Sequence, residues 1–322
     1  MKLKPKGKRV FYFCIMNNKL LVLGTMAYDA IETPFGNAKK ILGGCATYIG
    51  LAASNFKTEC GLISIIGTDF EKRHLDLLKA NNINLEGVEQ LEGEKTFFWS
   101  GKYHNDLNTR TTLDTQLNVL TKFKPKVPES FKDSSFVLLG NLDPNIQLEV
   151  LDQMNKKPDL IVMDTMNFWI ESYNEKLEEL ICRVDVISIN DEEARQITQK
   201  NSLVEAAKSL QAMGPKYVII KKGEHGALLF NDNDIFCAPA LPLEKVFDPT
   251  GAGDSFIGGF TAYLVQRKKI TFEEMKTGVI VGSAMASFTV QEFGTKALEK
   301  ITFASLEERI KVFKSLTEFK LI

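Results

Sequence analysis

The chain has 322 residues, 44% of them hydrophobic and 25% charged, with 22 glycines and only 10 prolines. That is the composition of a globular enzyme built as one large α/β domain or two smaller ones, and it excludes disordered, collagen-like and disulfide-scaffold classes. Forty basic against 41 acidic residues leave a formal charge of -1, which removes the electrostatic signature of a nucleic-acid or anionic-membrane binder.

In chain order, Lys2, Lys4, Lys6, Lys8 and Arg9 precede a short apolar run at residues 10–15. The run is too short for a signal peptide and has no small-residue cleavage site, so residues 1–15 are expected to be a disordered extension with Met16 as the working start. Strands are then predicted at residues 20–23, 62–66, 136–139, 160–163, 186–189 and 218–220, all short aliphatic runs bounded by turn residues. Helices are predicted between them at 46–55, 72–81, 146–156, 174–183 and 204–213. Alternation of this kind implies right-handed crossovers and a mainly parallel sheet with helices on both faces, with ligands at the carboxyl ends of the strands.

Two segments break the rhythm. Residues 31–42, and residues 94–114 with their alternating Thr96-Phe97-Phe98-Trp99-Ser100-Gly101-Lys102-Tyr103, read as antiparallel strands outside the main sheet. Together they are expected to form a small lid over the carboxyl edge, and residues 16–322 are treated as one domain because no repeat, low-complexity tract or linker divides them. Five widely spaced cysteines without a C-x-x-C pair, and three histidines without H-E-x-x-H, point away from disulfides and zinc and fit a reducing cytoplasm. No apolar run approaches the roughly 20 residues of a membrane helix.

The most informative stretch is residues 247–256, Phe-Asp-Pro-Thr-Gly-Ala-Gly-Asp-Ser-Phe, followed by a helix-compatible run at 257–266. With no bulky side chains at Gly251, Ala252 and Gly253, backbone N–H groups at a helix start can converge on an anion, favoured there by the helix dipole. Asp254, in the first turn, could take the proton of a hydroxyl attacking a phosphoryl group held at those amides. By itself, Gly-Ala-Gly could equally be a turn and Asp254 a helix cap. A Rossmann fingerprint would need a third glycine where Phe256 stands, and neither a P-loop nor the protein-kinase motif set is present.

Residues 248–254 reproduce the C-terminal signature of the ribokinase-like, or PfkB carbohydrate kinase, family, which the chain resembles from about residue 19 to 318. Other motifs follow in the same order: Gly24 and Asp29, Gly43-Gly44, Gly67-Thr68-Asp69, Asn190-Asp191-Glu192-Glu193, and residues 221–227 from Lys221 to Ala227. The resemblance implies an ATP-dependent kinase with Asp254 as catalytic base and the amides of Gly251, Ala252 and Gly253 as anion hole. It further implies that Asp29 binds acceptor hydroxyls, that Gly43 and Gly44 form the lid hinge, and that Asn190 and Glu193 order magnesium-bound water near the nucleotide. Asn190 to Glu193 could also be a plain helix cap. Thr250, Gly223 and Ser287 are carried over to the nucleotide site, whose base would pack between Ala227 and the small residues Ser283, Ala284, Ala286 and Ser287. Potassium could sit near the loop from Asp248 to Thr250, and homodimers through the lid are familiar among these kinases.

The chain departs from the family pattern in places that bear on its acceptor. Cys45-Ala46-Thr47-Tyr48 stands where an asparagine usually follows the double glycine, and Lys221 replaces a common threonine, so that Lys221 or Lys222 could reach the nucleotide phosphates or simply solvate a strand end. A sugar is the first expected acceptor and a nucleoside the second, with Phe97, Phe98, Trp99 and Tyr103 available either to stack on a ring or to form lid core. Asp164, Asn167 and Trp169 form a further polar-aromatic group near a strand end. Two rival classes remain at this level: a dinucleotide oxidoreductase, and a non-catalytic nucleotide-binding regulatory protein.

Overall fold

The computed structural model describes residues 18–318 and 320; the expected extension at 1–15 lies outside them. β1 (Lys19–Leu23) is followed by the hairpin β2 (Ala27–Thr33) and β3 (Gly36–Gly43), after which helix α1 (Cys45–Ser54) returns the chain as β4 (Glu59–Gly67). Helix α2 (Lys72–Ala80) leads to β5 (Ile83–Leu91), and then β6 (Phe98–Tyr103) and β7 (Arg110–Gln116) depart again. Alternation resumes with β8 (Phe136–Leu139), α3 (Pro144–Asp152), β9 (Leu160–Met163), α4 (Asn167–Ser172), α5 (Asn174–Ile181) and β10 (Val186–Asn190). It continues through α6 (Asp191–Thr198), α7 (Leu203–Met213) and β11 (Tyr217–Lys221) to the pair β12 (Ala227–Phe230) and β13 (Ile235–Ala238). α8 (Ala252–Val265), α9 (Phe272–Thr289) and α10 (Phe303–Thr317) complete the fold.

Nine strands form one sheet in the order β13-β12-β11-β10-β9-β8-β1-β4-β5. All neighbours from β11 to β5 are parallel, and only β12 and β13 run antiparallel at one edge. Alternation along each strand splits the interior into two cores. Leu20, Val22, Phe136 and Leu138 point into one with α1, α8 and α9, while Leu21, Leu23, Val137 and Leu139 point into the other with α3, α5 and α7. Each such side chain contributes about 1.5–3 kcal/mol by leaving water, which is why both faces need helical cover and why β1 and β8 read as unbroken apolar runs.

Four strands stand apart as the second sheet, β3-β2-β6-β7. The expected lid is therefore present, but it is larger than residues 31–42 and 94–114 suggested. Its first strand begins at Ala27, so Asp29 lies inside a lid strand, paired with Ile41 and Trp99, and not simply beyond the end of β1. The lid is tied to the main sheet by Asp69, whose Oδ1 accepts hydrogen bonds from the Thr96 amide and hydroxyl, both at 2.7 Å, just before β6. Three strands escaped the pattern reading. β5 alternates with polar residues at the sheet edge, and β12 and β13 are only four residues each. Among the described residues no helix is long and apolar enough to cross a membrane.

Candidate active site

α8 begins five residues earlier than its apolar run suggested, at Ala252, which puts Asp254 at its third position, where a carboxylate faces the positive end of the helix. Gly251 sits before the helix with φ +75°, and a Cβ there would lie 2.4 Å from the Tyr48 ring, so both conformation and space require glycine. The turn is closed by the Ala252 amide, which donates to the Pro249 carbonyl at 3.2 Å. Consequently the amides of Gly251, Gly253 and Asp254 are the ones left without a partner among the described residues, and the Ala252 amide serves the turn. Asp248 braces the loop from below. Its Oδ1 accepts from the Thr250 amide at 2.9 Å and its Oδ2 from the Gly294 amide at 3.1 Å.

Above Gly253 lies Lys221, at the end of β11. Its Nζ is the sole atom near a Cβ built on Gly253, at 3.2 Å, and it donates to Asp164 Oδ1 at 3.2 Å in a largely buried ion pair. Asp164 follows β9 directly, so the pair joins the carboxyl ends of two strands that flank β10. Burial and then the Asp164 charge push the Asp254 carboxyl up to about 7, opposed by Lys221 and by Arg110 of β7. Burial alone would lower the Lys221 pKa; the carboxylates of Asp164, Glu193 and Asp254 outweigh it, so its ammonium is held charged. A carboxyl that titrates near neutrality, beside free amides and a fixed ammonium, is equipped to accept a proton from a hydroxyl while an anion is held next to it.

The other end of the cleft is formed by the double glycine. A Cβ on Gly43 would fall 1.9 Å from Asp29 Oδ2, and Gly44, at φ +90°, would clash with the Thr25 carbonyl at 2.4 Å. The pair of glycines thus makes room for the Asp29 carboxylate, whose charged form the neighbouring Gly44 amide favours. Burial, then the charges of Asp248 and Asp254, push Asp29 up to about 8. Beside it lies Cys45, whose Sγ accepts from the Thr25 amide at 3.2 Å and points to the Asn141 carbonyl at 3.5 Å. Burial holds the thiol neutral, with its pKa up to about 12. The Tyr48 hydroxyl, buried beneath the Gly251 loop, has no hydrogen-bond partner among the described residues.

The remaining sequence-derived residues are distributed unevenly. Asn190 and Glu193 form a capping box at the start of α6, with the Asn190 amide donating to Glu193 Oε2 at 2.8 Å and the Glu193 amide to Asn190 Oδ1 at 2.7 Å. Glu193 still belongs to the charge cluster, because burial and Asp164 push it up to about 7. Its second oxygen makes no hydrogen bond among the described residues, so it fits a water of a hydrated magnesium ion. Gly223, with φ +53°, starts the loop after β11, and a Cβ there would meet Asn108 Oδ1 of the lid at 2.5 Å. Thr250 donates its hydroxyl to Tyr103 at 3.2 Å, a second link from lid to loop.

Ser287 is not brought to this cluster: it is buried in α9, donates to the Ala284 carbonyl and accepts from Arg309 of α10 at 3.1 Å. The small residues of α9 are used in close packing on α8, where Gly282 lies against Phe256. Nor do Asp164, Asn167 and Trp169 form one group. Asp164 turns to Lys221, Asn167 to Gln196 and Trp169 to Asn141. Pattern reading missed Asp164 as the partner of Lys221, although a lone carboxylate ending a buried central strand was a usable signal. Arg110 and Asn108 gave no signal, since their placement depends on lid register.

Over residues 17–301 the chain matches the family described as pfkB family carbohydrate kinase. The chain belongs to that family. This kinase is a phosphotransferase with a hydroxyl group as acceptor, as its relatives are. It is 32% identical over 249 residues to a cytidine kinase of Thermococcus kodakarensis, covering 76% of this chain and 87% of that protein. A nucleoside kinase of Methanothermobacter thermautotrophicus is 26% identical over 298 residues, covering 86% and 91%. The fold matches that of the Methanocaldococcus jannaschii nucleoside kinase with a TM-score of 0.74 at 21% identity, over 92% of this chain and 98% of that one.

Proposed function

We propose that this kinase transfers the terminal phosphoryl group of ATP to a hydroxyl of a nucleoside. The observation that carries the reaction is Asp254, titrating near neutrality, next to the partnerless amides of Gly251, Gly253 and Asp254 and beneath Lys221. The acceptor hydroxyl loses its proton to the Asp254 carboxylate as its oxygen bonds the terminal phosphorus, and the bond to the bridging oxygen breaks, releasing ADP. Lys221 and the free amides hold the phosphoryl oxygens, Gly223 and Thr250 line the nucleotide's phosphates, and Asp29 with Gly43-Gly44 receives the acceptor's other hydroxyls. Magnesium, when bound, supplies charge neutralisation at the phosphates, with the free oxygen of Glu193 holding one of its waters.

A nucleoside is favoured over a simple sugar by the relatives at 32% and 26% identity, named cytidine kinase and nucleoside kinase. The test is ADP release by the purified protein with magnesium-ATP against cytidine and other nucleosides, ribose and other sugars, and sugar phosphates. The expected result is the highest kcat/KM with a nucleoside. A sugar preferred tenfold or more would overturn the acceptor, and nucleotide binding without any transfer would favour a regulatory protein.

A further inference from the structure

Asn141 lies two residues beyond β8, beside the double glycine that makes room for Asp29. The Gly140 amide donates to the Leu23 carbonyl of β1 at 2.8 Å, and a Cβ on Gly140 would fall 3.1 Å from Cys45 Sγ. Cys45 directly follows Gly44, donates its amide to the Thr25 hydroxyl at 3.1 Å and turns its thiol to the Asn141 carbonyl. A chain of direct contacts thus runs from the Asp29 pocket to Asn141 across the carboxyl ends of β1 and β8, which are neighbours in the sheet. From Asn141 it continues to α4. Trp169 Nε1 donates to Asn141 Oδ1 at 2.9 Å, and Asn141 Nδ2 donates to Met166 Sδ at 3.1 Å. An indole N–H can only donate, so it fixes which end of the amide is oxygen and which is nitrogen. Among the described residues, Oδ1 keeps one lone pair, and Nδ2 keeps one hydrogen while its other rests on a thioether, a weak acceptor. Asn141 therefore still offers one acceptor and one donor, held in a fixed plane.

Trp169 supplies the apolar surface beside that amide. It is half-buried, and the rings of Phe168 and Tyr173 meet it at 77° and 62°, with centroids 4.8 and 5.4 Å away, so neither is stacked flat on the indole. Phe168 is 52% exposed at the same carboxyl edge. Rings left open at the edge of a ligand cleft, next to an amide with free hydrogen-bonding capacity, suit an acceptor that is planar, aromatic and polar at its rim. A simple sugar has no such ring.

We infer that Asn141 and Trp169 are the specificity-determining residues for the acceptor: the Trp169 indole packs on its nucleobase, and the Asn141 amide, oriented by that indole, pairs with the polar edge of the base. The inference rests on the nucleoside reading and sharpens it, because one free donor beside one free acceptor matches the adjacent acceptor and donor on the edge of a base. Neither residue takes part in a bond that forms or breaks. Both act on the binding of the acceptor and not on that of ATP.

The experiment measures kcat and KM of the full chain with magnesium-ATP and cytidine, uridine, adenosine or ribose, in wild type, Trp169→Ala, Trp169→Phe and Asn141→Ala. Trp169→Ala should lower kcat/KM for the preferred nucleoside about 10- to 100-fold, the worth of one base stacked on an aromatic ring. The loss should appear in the KM of the nucleoside, with the KM of ATP within about twofold of wild type. Asn141→Ala should cut the preference between the best and the second base about tenfold, since the group that pairs with the base edge has gone. Trp169→Phe keeps a ring but releases the Asn141 amide, so it should retain most of the affinity and lose the ranking of bases, a split that a merely structural role would not produce. A fold lost in an alanine variant would be seen as a changed melting transition, in which case Trp169→Phe and Asn141→Ser carry the comparison. With a wild type that prefers nucleosides, variants with unchanged nucleoside KM and unchanged ranking overturn this inference alone, as does a rise in the KM of ATP equal to that of the nucleoside. A wild type that prefers ribose, or that transfers to no acceptor, overturns the nucleoside reading and this inference together.

Discussion

The carboxyl edge of the large sheet and the four-stranded lid face each other across one cleft, yet they are built on opposite principles. On the sheet side, the functional groups are immobilised before any ligand arrives: Asp248 is pinned by two amides, Lys221 by Asp164, and Glu193 by its own capping box. On the lid side, β7 is exposed along its whole length and Arg110 has no partner among the described residues. The contrast separates two tasks. Burial tunes the base and organises the anion site at the cost of charge balance, whereas the outer lid strand keeps its side chains exposed and its charge out of the buried cluster.

The sharpest way to break the comparison is at the base. Asp254→Asn is expected to reduce kcat by about 100- to 10,000-fold while leaving nucleotide binding in place, because the amide has the same shape but accepts no proton. Measured turnover above half of wild type, with chemistry rate-limiting, would falsify the assignment. The same substitution removes a carboxyl whose folded pKa is raised to about 7. Such a group stabilises the fold fully only below its unfolded pKa near 4 and loses that contribution as pH rises through 7. The ligand-free Asn variant should therefore melt higher than wild type at pH 8, with the difference shrinking toward pH 5.

A smaller effect tests the tuning itself. The base must be ionised, so kcat/KM of wild type should fall about tenfold per pH unit below about 7. The charged groups that set this limb are Asp164 at the end of β9, Lys221 at the end of β11 and Arg110 on β7. Asp164→Asn removes the carboxylate that opposes ionisation of Asp254, so its limb should move to lower pH, opposite to the shift that removing the Arg110 cation would give. Burial is the larger cause and is unchanged, so the limb should stay above the ordinary carboxylate range near 4. At its own plateau the variant should keep activity within about tenfold of wild type, since asparagine still accepts a hydrogen bond from Lys221. A limb that stays at 7, or moves upward, would show that Asp164 does not set the base.

The two halves also differ in how far sequence reveals them. The sheet side is carried by contiguous signals: apolar strands, and a seven-residue motif at 248–254 in which turn, anion site and base are neighbours in the chain. The parallel alternation and the family were therefore legible, as was the placing of Gly251, Gly253 and Asp254 at a helix start. Asp164 and Lys221 were visible as residues but not as a pair, because they are 57 positions apart and meet only through the order of β9, β10 and β11. The lid was legible as a departure from rhythm, yet its extent was not. Ala27 to Ala30 is a short mixed stretch whose strand character comes from pairing with β3 and β6. Ser287 was hard to read for the reverse reason: its small size signals room for a ligand and close helix packing equally, and its hydroxyl is bonded to the Ala284 carbonyl and to Arg309.

The smallest expected effect on catalysis concerns the lid's outer edge. β7 is an edge strand of seven exposed residues, with Leu113 52% exposed and Leu117, just past its end, 47% exposed, a surface that soluble chains seldom leave open. We propose that the β7 edge pairs with a second copy of the chain, which would also steady the hairpin bearing Arg110. Leu113 lies beyond the Tyr103 and Arg110 end of the strand, so Leu113→Glu should convert a dimeric mass to a monomeric one at micromolar concentration while kcat at saturating substrates changes by no more than about twofold. Slower amide exchange in β6 and β7 of the wild type than of the variant would connect the pairing to lid stability. A monomeric mass for wild type at that concentration would leave the chemistry untouched and return the exposed edge to the lid alone, where the bulge between Ser100 and Gly101 would be its protection against open-ended pairing.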